Sequence, residues 1–459
     1  MKKEQHGEIV LLAEKLVLVI INTLWFAWIW SRFYARSVYV PFYLRGNIAV
    51  ILVFAAVYII FGRLYGGFDL KTSRALSLFY SHVIASIMTG IAMFVLLWLL
   101  IRYVPRILPL LLAIGLWSFT ALVWAKPAAV LARKANPPTP TVLIFDNPIA
   151  YEKGVKITEH VDWRFDVVGN ISVDEGKKAV FDYIKKTNAE AVMLCGIHSS
   201  QRNDIIKQCI KDGVAVYIRP NIGDYIINSG SSLQMANLPV LLCQRSAPSI
   251  FYVLVKRVFD IVFSAGLLVI TSPILLLTSI AIFLNDRGPI LYKQERLTKD
   301  GKRFEIIKFR SMSVDAESDG VARLATQEDS RITAVGKFIR ATRIDELPQL
   351  WNILKGEMSV VGPRPERPEL SESYAETLPE FPLRLQVKAG LTGYAQVHGK
   401  YNTSPYDKLQ MDLMYISKQG IATDLRIILE TLKVIFMPES TEGIGEDMID
   451  ASEVEKKDE

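Results

Sequence analysis

The stretch that decides the fold is KRVFDIVFSAGLLVITSPILLLTSIAIFL, Lys256 to Leu284. From Val258 onward it is an apolar run of about 27 residues, long enough to cross a bilayer as a helix. Three details argue against a simple crossing. Asp260 sits just inside the run. Ser272-Pro273 sits at its middle, where proline removes a backbone donor and bends a helix. Basic residues flank both ends: Lys256 and Arg257 before it, Arg287, Lys293 and Arg296 after it. The pattern predicts a helix–break–helix over 258–284 that enters the membrane and returns. The Ser272 hydroxyl is placed to satisfy a carbonyl that Pro273 frees. A kinked helix that spans the bilayer is the competing reading.

Outward from that run, the first quarter of the chain holds apolar stretches near Leu11–Trp30, Asn47–Phe61, Ser77–Ile101 and Ile107–Trp124. They predict four transmembrane helices in residues 1–126, the second the shortest. Trp28, Trp30, Tyr34, Tyr65, Tyr80, Trp98, Tyr103 and Trp124 cluster at their ends, as in the aromatic belt of a lipid–water boundary. Lys2, Lys3, Arg63, Lys71, Arg74, Lys126, Arg133 and Lys134 flank one side; Arg32, Arg36, Arg45, Arg102 and Arg106 flank the other. The larger set puts both ends of this unit in the cytoplasm. A fifth crossing at Val258–Leu284 would then place everything beyond Asn285 outside, whereas a returning segment keeps the soluble parts together. No cleavable signal peptide is evident, because the first run lacks a small-residue cleavage site and is followed by Arg32 and Arg36.

Composition agrees with a membrane region joined to a soluble one. Of 459 residues, 51% are hydrophobic, yet 22% are charged. The net charge of +6 suits an anionic membrane surface or anionic substrates and is too small to argue for nucleic acid. Cys195, Cys209 and Cys243 show no metal or disulfide spacing and read as buried thiols of a reducing compartment.

A Pro-rich segment at 127–140, ending in Asn136-Pro137-Pro138-Thr139-Pro140, reads as a stiff linker. Residues 141–250 then alternate. Strands are expected at Thr141–Phe145, Phe165–Val168, Ala191–Cys195 and Val214–Ile218, and helices at Val173–Lys186 and Gln201–Lys211. That order implies a small parallel, Rossmann-like α/β domain. A dinucleotide site would need a glycine-rich turn after the first strand. Phe145-Asp146-Asn147-Pro148-Ile149-Ala150 has no glycine, so a structural or regulatory domain without a dinucleotide is expected.

The chemistry-bearing residues lie beyond the long run. Ile290–Met312 reads as a basic β-hairpin with its turn at Lys299-Asp300-Gly301. Leu347, Leu350, Trp351 and Leu354 recur at helical spacing, and Gly356 is a stop signal. Asp345 and Glu346 are therefore expected at a helix N-terminus, where adjacent carboxylates are often simple caps. Their context changes that reading. In Gly362-Pro363-Arg364-Pro365-Glu366 two prolines hold Arg364 in a stiff turn. A carboxylate can act as the nucleophile of phosphoryl transfer, provided that a cation and a divalent metal offset the repulsion between anions. Asp345, Glu346, Arg364 and Mg²⁺ would supply those parts.

From Lys256 to about Met437 the chain resembles the bacterial sugar transferase family, the monotopic polyprenyl-phosphate phosphoglycosyl transferases. The resemblance rests on Lys256-Arg257 with Asp260, Ser272-Pro273, Tyr292-Lys293-Gln294-Glu295-Arg296 and Lys308-Phe309-Arg310-Ser311-Met312. It continues through Asp345-Glu346-Leu347-Pro348-Gln349, Gly362-Pro363-Arg364-Pro365-Glu366 and Gly390-Leu391-Thr392-Gly393. The first 250 residues match the longer members in layout only. The resemblance implies an α+β membrane protein with a catalytic domain at 251–437. It implies that Asp345 attacks the phosphorus bearing the sugar of a UDP-sugar, releasing UMP, and that undecaprenyl phosphate then takes the phosphosugar. Glu346 would hold Mg²⁺, Arg364 would grip the transferred phosphate, and Lys308 and Arg340 would assist. Ser272-Pro273 would set the membrane break, and Lys256 and Arg257 would sit near the lipid phosphate. UDP-glucose and UDP-galactose are the first candidates, for exopolysaccharide, capsule or O-antigen assembly at the bacterial cytoplasmic membrane, and a homodimer is compatible with this reading. A glycosyltransferase that releases UDP and a non-catalytic membrane scaffold are the alternatives.

Asp424–Met437 is expected to form a last helix with Leu425, Ile428, Leu429, Leu432, Ile435 and Phe436 on one face, packed on the catalytic core or lying at the membrane surface. The acidic tail at 438–459 has no evident chemistry.

Overall fold

The structure, a computed structural model, describes residues 2–71, 73, 75–101, 103–246, 248–313, 331–399 and 403–435. Arg74, Arg102, Phe436, Met437 and the acidic tail lie outside the described residues. The chain divides into two compact units, Met1–Arg219 and Pro220–Glu459. Among the described residues five helices are long and apolar enough to cross a membrane.

Four of them open the first unit: α1 (Lys2–Ile29), α2 (Leu44–Leu64), α3 (Ala75–Leu100) and α4 (Ile107–Ala135). The short second stretch is a full helix of 21 residues. α4 continues into the expected linker as far as Ala135, with Pro127 inside it. Proline alone disfavours that. Ala125, Ala128, Ala129 and Ala132, all buried, form one packed face with Leu11 and Leu18 of α1, and this tertiary contact carries the helix past its breaker. Several residues of the expected aromatic belt are also internal: Trp30, Tyr34, Tyr65 and Trp124 are buried, while Trp28, Trp98 and Tyr103 are exposed. Mid-bundle, the Asn22 amide donates to Tyr58 Oη at 2.8 Å, which meets His82 Nδ1 at 3.0 Å. His82 Nε2 lies 2.8 Å from the Gly67 carbonyl. A carbonyl only accepts, so Nε2 carries the proton and Nδ1 accepts from Tyr58.

The rest of this unit is β1 (Thr139–Phe145), α5 (Pro148–His160), β2 (Phe165–Ser172), α6 (Lys177–Lys186), β3 (Ala191–Cys195), α7 (Ser199–Lys211) and β4 (Ala215–Ile218). The sheet is parallel, in the order β2-β1-β3-β4, and Val142, Ile144, Val192 and Leu194 fill its core. α5 is not among the expected helices: Asn147 Oδ1 accepts from Ala150 N–H at 2.7 Å and Pro148 occupies the first helical position. Gly176, at φ 93°, separates a short 3₁₀ turn, Val173–Glu175, from α6 and so divides the single helix expected there.

The second unit begins at Pro220, about thirty residues before the expected boundary at 250/251. α8 (Ile222–Asn228) buries Ile222 in the core of this unit, and the Gln410 amide donates to the Pro220 carbonyl at 2.6 Å. β5 (Ser231–Met235) and β6 (Leu238–Leu242) form a hairpin about Ala236 and Asn237, both at positive φ. Cys243 follows it and is exposed, unlike the buried Cys195 and Cys209, so the reading of three buried thiols holds for two.

α9 (Ile250–Asp286) is one uninterrupted helix of 37 residues, so the expected helix–break–helix is not present as a gap in the helix. Pro273 withholds the amide hydrogen that would bond to the Val269 carbonyl, and Ser272 Oγ donates to that carbonyl instead at 2.7 Å. Next come β7 (Leu291–Leu297) and β8 (Arg303–Phe309), paired as the expected hairpin. They are followed by α10 (Ala334–Ala341), α11 (Gln349–Lys355), β9 (Ser359–Val361), α12 (Pro368–Thr377), β10 (Gly390–Thr392), α13 (Tyr394–His398), α14 (Pro405–Ser417) and α15 (Ile421–Ile435). Leu350, Ile353, Val360, Phe381, Leu409 and Ile427 share one core. α15 packs through Asp424, Ile427 and Glu430, whereas Leu425 and Leu432 of its expected apolar face are exposed.

Candidate active site

The site is assembled from three segments that only the fold brings together. The first is the turn before α11. Asp345 and Glu346 lie on a 3₁₀ turn, Ile344–Glu346, rather than on the first turn of the helix, which starts three residues later at Gln349. Arg343 enters this turn at φ 55°, a left-handed conformation that costs a non-glycine residue about 1–3 kcal/mol and clusters at functional sites. The second segment is β8, which carries Lys308. The third is the turn after β9, which carries Arg364.

Arg364 Nη2 donates to Glu346 Oε1 at 2.8 Å, and Lys308 Nζ lies 4.0 Å from the same oxygen. The side chain of Arg364 is 43% exposed and that of Glu346 only 14%, so the ion pair joins a half-exposed guanidinium to a largely buried carboxylate. The carboxylates are held in different states. Burial and the Glu346 charge beside it push Asp345 up to about 6, against the pull of Lys308, Arg340 and Arg364. Burial would also raise Glu346, but Arg364 and Lys308 outweigh it and hold the carboxyl at about 2. Burial lowers Lys308 to about 8. Two adjacent carboxylates with well-separated proton affinities, facing two cations, form a site able to keep Glu346 ionised while Asp345 changes charge near neutrality.

The Arg364 turn is fixed from behind by contacts that sequence reasoning missed. Arg384, 3% exposed, donates from Nε and Nη2 to Asp412 Oδ2 at 2.8 and 2.7 Å and from Nη2 to the Arg364 carbonyl at 3.0 Å. Its Nη1 lies 3.5 Å from Glu366 Oε1. Nothing in the spacing of Arg384 and Asp412 along the chain signals this pairing. The Gly390-Leu391-Thr392-Gly393 motif supplies the other wall. Gly362 N–H donates to the Thr392 carbonyl and Gly390 N–H to the Pro363 carbonyl, each at 2.9 Å. A Cβ on Gly393 would stand 2.2 Å from the Gly362 carbonyl oxygen, so only glycine lets the two backbones meet.

A scan against family models matches residues 251–438 to the model described as bacterial sugar transferase. A UDP-glucose:undecaprenyl-phosphate glucose-1-phosphate transferase of Caulobacter vibrioides is 38% identical over 214 residues, which cover 46% of this chain and 79% of that protein. The chain belongs to the bacterial sugar transferase family. A UDP-glucose:undecaprenyl-phosphate glucose-1-phosphate transferase of Klebsiella pneumoniae is 34% identical over 273 residues, 58% of this chain and 57% of that protein. A UDP-N-acetylgalactosamine-undecaprenyl-phosphate N-acetylgalactosaminephosphotransferase of Aeromonas hydrophila is 38% identical over 191 residues, 41% of this chain and 45% of that protein. The matched segments thus span about half the length of these last two relatives.

Of the other residues expected at the family's site, Arg340 lies in the last turn of α10 and acts on Asp345 by charge. Lys256 and Arg257, expected near the lipid phosphate, make contacts within the protein. Lys256 Nζ is paired with Asp424 Oδ2 at 2.7 Å, and the Arg257 guanidinium donates to the Ile353 and Leu354 carbonyls at 2.7 and 2.8 Å. The end of α11 has carbonyls without helical partners, and a buried Asp424 needs a cation, so both basic side chains turn inward. Asp260 likewise points into the protein, accepting from Ser359 Oγ at 3.1 Å and Val360 N–H at 3.0 Å.

Proposed function

We propose that the chain transfers a sugar 1-phosphate from a UDP-sugar to undecaprenyl phosphate and releases UMP. The observation that carries this reading is the Asp345–Glu346 pair facing Arg364 and Lys308. An oxygen of Asp345 attacks the phosphorus that bears the sugar. The bond from that phosphorus to the UMP oxygen breaks, and UMP leaves with the electron pair. An oxygen of the lipid phosphate then attacks the same phosphorus, the bond to Asp345 breaks, and the carboxylate is regenerated. Arg364 and Lys308 offset the charge that accumulates on the transferred phosphoryl oxygens, and Arg340 adds to that field.

The pair also suits Mg²⁺. Among the described residues no group of three His, Cys, Asp or Glu converges, but Mg²⁺ commonly takes one or two carboxylates and fills its other positions with phosphate oxygens and water. Asp345 and Glu346 would hold the ion, which would supply neutralising charge at the phosphates.

The membrane seat follows from α9 and α15. A straight helix would separate Arg257 from Asp286 by about 43 Å. Yet Arg257 bonds α11 and Asp286 bonds Arg310 at the end of the adjoining strand β8, both within one catalytic body. This supports a helix that bends at Ser272-Pro273 and returns to the face it left. Leu425 and Leu432, exposed on α15, add apolar surface for the bilayer interface. With Lys256 and Arg257 engaged internally, the lipid phosphate is left to the cations around Asp345. The catalytic unit faces the cytoplasm of a bacterium, where nucleotide sugars are found, in a pathway of exopolysaccharide, capsule or O-antigen type.

The test is product identity with UDP-glucose, UDP-galactose and their N-acetylated counterparts in the presence of undecaprenyl phosphate. UMP release together with a phosphosugar adduct on the intact protein is the expected result. UDP as product would select a glycosyltransferase instead, and no turnover with any UDP-sugar would favour a scaffold.

A further inference from the structure

The helices of the first unit contain a second polar feature, distinct from the Asn22–Tyr58–His82 chain. Between Lys15 and Phe145 the sequence holds one carboxylate, Asp69, which lies in the connection after α2. The connections at the other end, residues 30–47 and 101–107, hold Arg32, Arg36, Arg45, Arg102 and Arg106 and no acidic residue. α2, with 21 residues, puts about 31 Å between the two ends. The positive charge at this end therefore has no carboxylate along the chain to balance it.

A receptacle is built among those arginines. α1 gives way to a π-helical turn, Trp30–Tyr34, in which Ala35 N–H donates to the Trp30 carbonyl at 2.8 Å. Such widened turns are frequent at functional sites. The segment is pinned on both flanks. Tyr34 Oη donates to the Arg106 carbonyl at 2.6 Å, and Tyr39 N–H donates to the Leu100 carbonyl at 3.3 Å. The Trp30 indole donates to Asn47 Oδ1 at 2.9 Å, and the Asn47 amide donates to the Phe42 carbonyl at 3.1 Å. Between these ties lies a cavity of about 400 Å³, with walls that include Ala27, Trp30, Phe42 and Ile51 and with Arg36 as its one charged lining residue.

Mostly apolar walls, with Ser31 and Asn47 as neutral polar groups and Arg36 as the one cation, select a molecule that is apolar over most of its length and anionic at one end. A guanidinium matches phosphate because its N–H donors pair with two oxygens at once. We propose that this cavity binds a phosphate-headed lipid, with the phosphate at Arg36 and the chain along Phe42 and Ile51. The bilayer then supplies the counter-charge that the sequence withholds. Membrane glycerophospholipid and polyprenyl phosphate share this chemistry.

The experiment is native mass spectrometry of the full-length protein in detergent, titrated separately with phosphatidylglycerol, a polyprenyl phosphate, diacylglycerol and inorganic phosphate. Both phosphate-headed lipids should form a one-to-one adduct, and the tighter of the two names the natural occupant. Arg36→Gln should weaken the adduct about tenfold, the scale of one charge-assisted contact. Lys126→Gln, at the opposite end of α4, should leave it unchanged. Ala27→Leu fills the cavity without touching charge and should give the same loss, so that a misfolded Arg36 variant would not mislead. Wild-type lipid retention in both folded variants would overturn the proposal, as would equal binding of diacylglycerol or displacement of the lipid by inorganic phosphate.

Discussion

Two charged clusters stand back to back in the catalytic unit, and they are built differently. Around Arg384, charge is buried and tightly bonded: the guanidinium is 3% exposed, is bonded twice to Asp412 and is flanked by Glu366. Around Asp345, the contacts are looser and partly exposed. Two cations address Glu346, Asp345 is pushed up to about 6, and Arg364 is 43% exposed. Tightly bonded buried charge holds backbone in place; charge beside a half-exposed guanidinium can be reached by a substrate. The first cluster supports the second, because Arg384 bonds the carbonyl of the residue whose side chain faces Glu346.

The largest test of this contrast is Asp345→Asn. Transfer should fall by at least about 10³-fold, as when a covalent nucleophile is removed, and the phosphosugar adduct should vanish from intact-mass spectra. Stability should move the other way. The folded-state value of Asp345 lies above that of a free carboxylate, so its ionised form opposes folding; the cost is full above about pH 6 and is lost as pH falls from there towards the free-carboxylate value of 3.8. Neutral Asn should therefore keep or raise the midpoint of thermal unfolding at pH 7. A lowered midpoint would place Asp345 among the structural groups.

Arg364→Ala comes next, with an expected loss of about 10²-fold in kcat from a missing electrostatic contact and little change in unfolding midpoint. Removing Glu346 as well should restore nothing. Arg384→Met should instead cost about 3–5 kcal/mol of stability by stranding Asp412, and Arg384→Met with Asp412→Leu should be more stable than the single variant. If the double variant recovers stability but not turnover, Arg384 positions Arg364; if it recovers both, the fork is dispensable.

A smaller effect is expected in the pH profile of kcat/KM. Turnover should decline below about pH 6, where Asp345 takes up a proton, and above about pH 8, where Lys308 loses one. Lys308→Arg should move only the upper limb. A flat profile from pH 5 to 9 would remove both groups from the rate-determining chemistry.

Much of this was legible in the sequence because it is local. Hydrophobic runs long enough to span a bilayer, the continuous apolar run Ala191–Cys195, and a turn at Lys299-Asp300-Gly301 depend on neighbours a few residues apart, and a helix, a strand or a turn is found at each. The adjacency of Asp345 and Glu346 and the stiffness of Pro363-Arg364-Pro365 are likewise properties of the chain itself. Tertiary structure decided the rest. It carried α4 through Pro127, packed the segment from Pro220 into the second compact unit, gave Lys256 and Arg257 partners within the protein, and set Leu425 and Leu432 of α15 on the exposed side. It also chose Asp412 as the partner of Arg384, across 28 residues, and Asp424 as that of Lys256, across 168. Periodicity reports which face of an element is apolar, but not what that face will meet. A buried charge finds its partner through the whole fold, because only there does the cost of leaving it unpaired exceed the cost of bringing distant segments together.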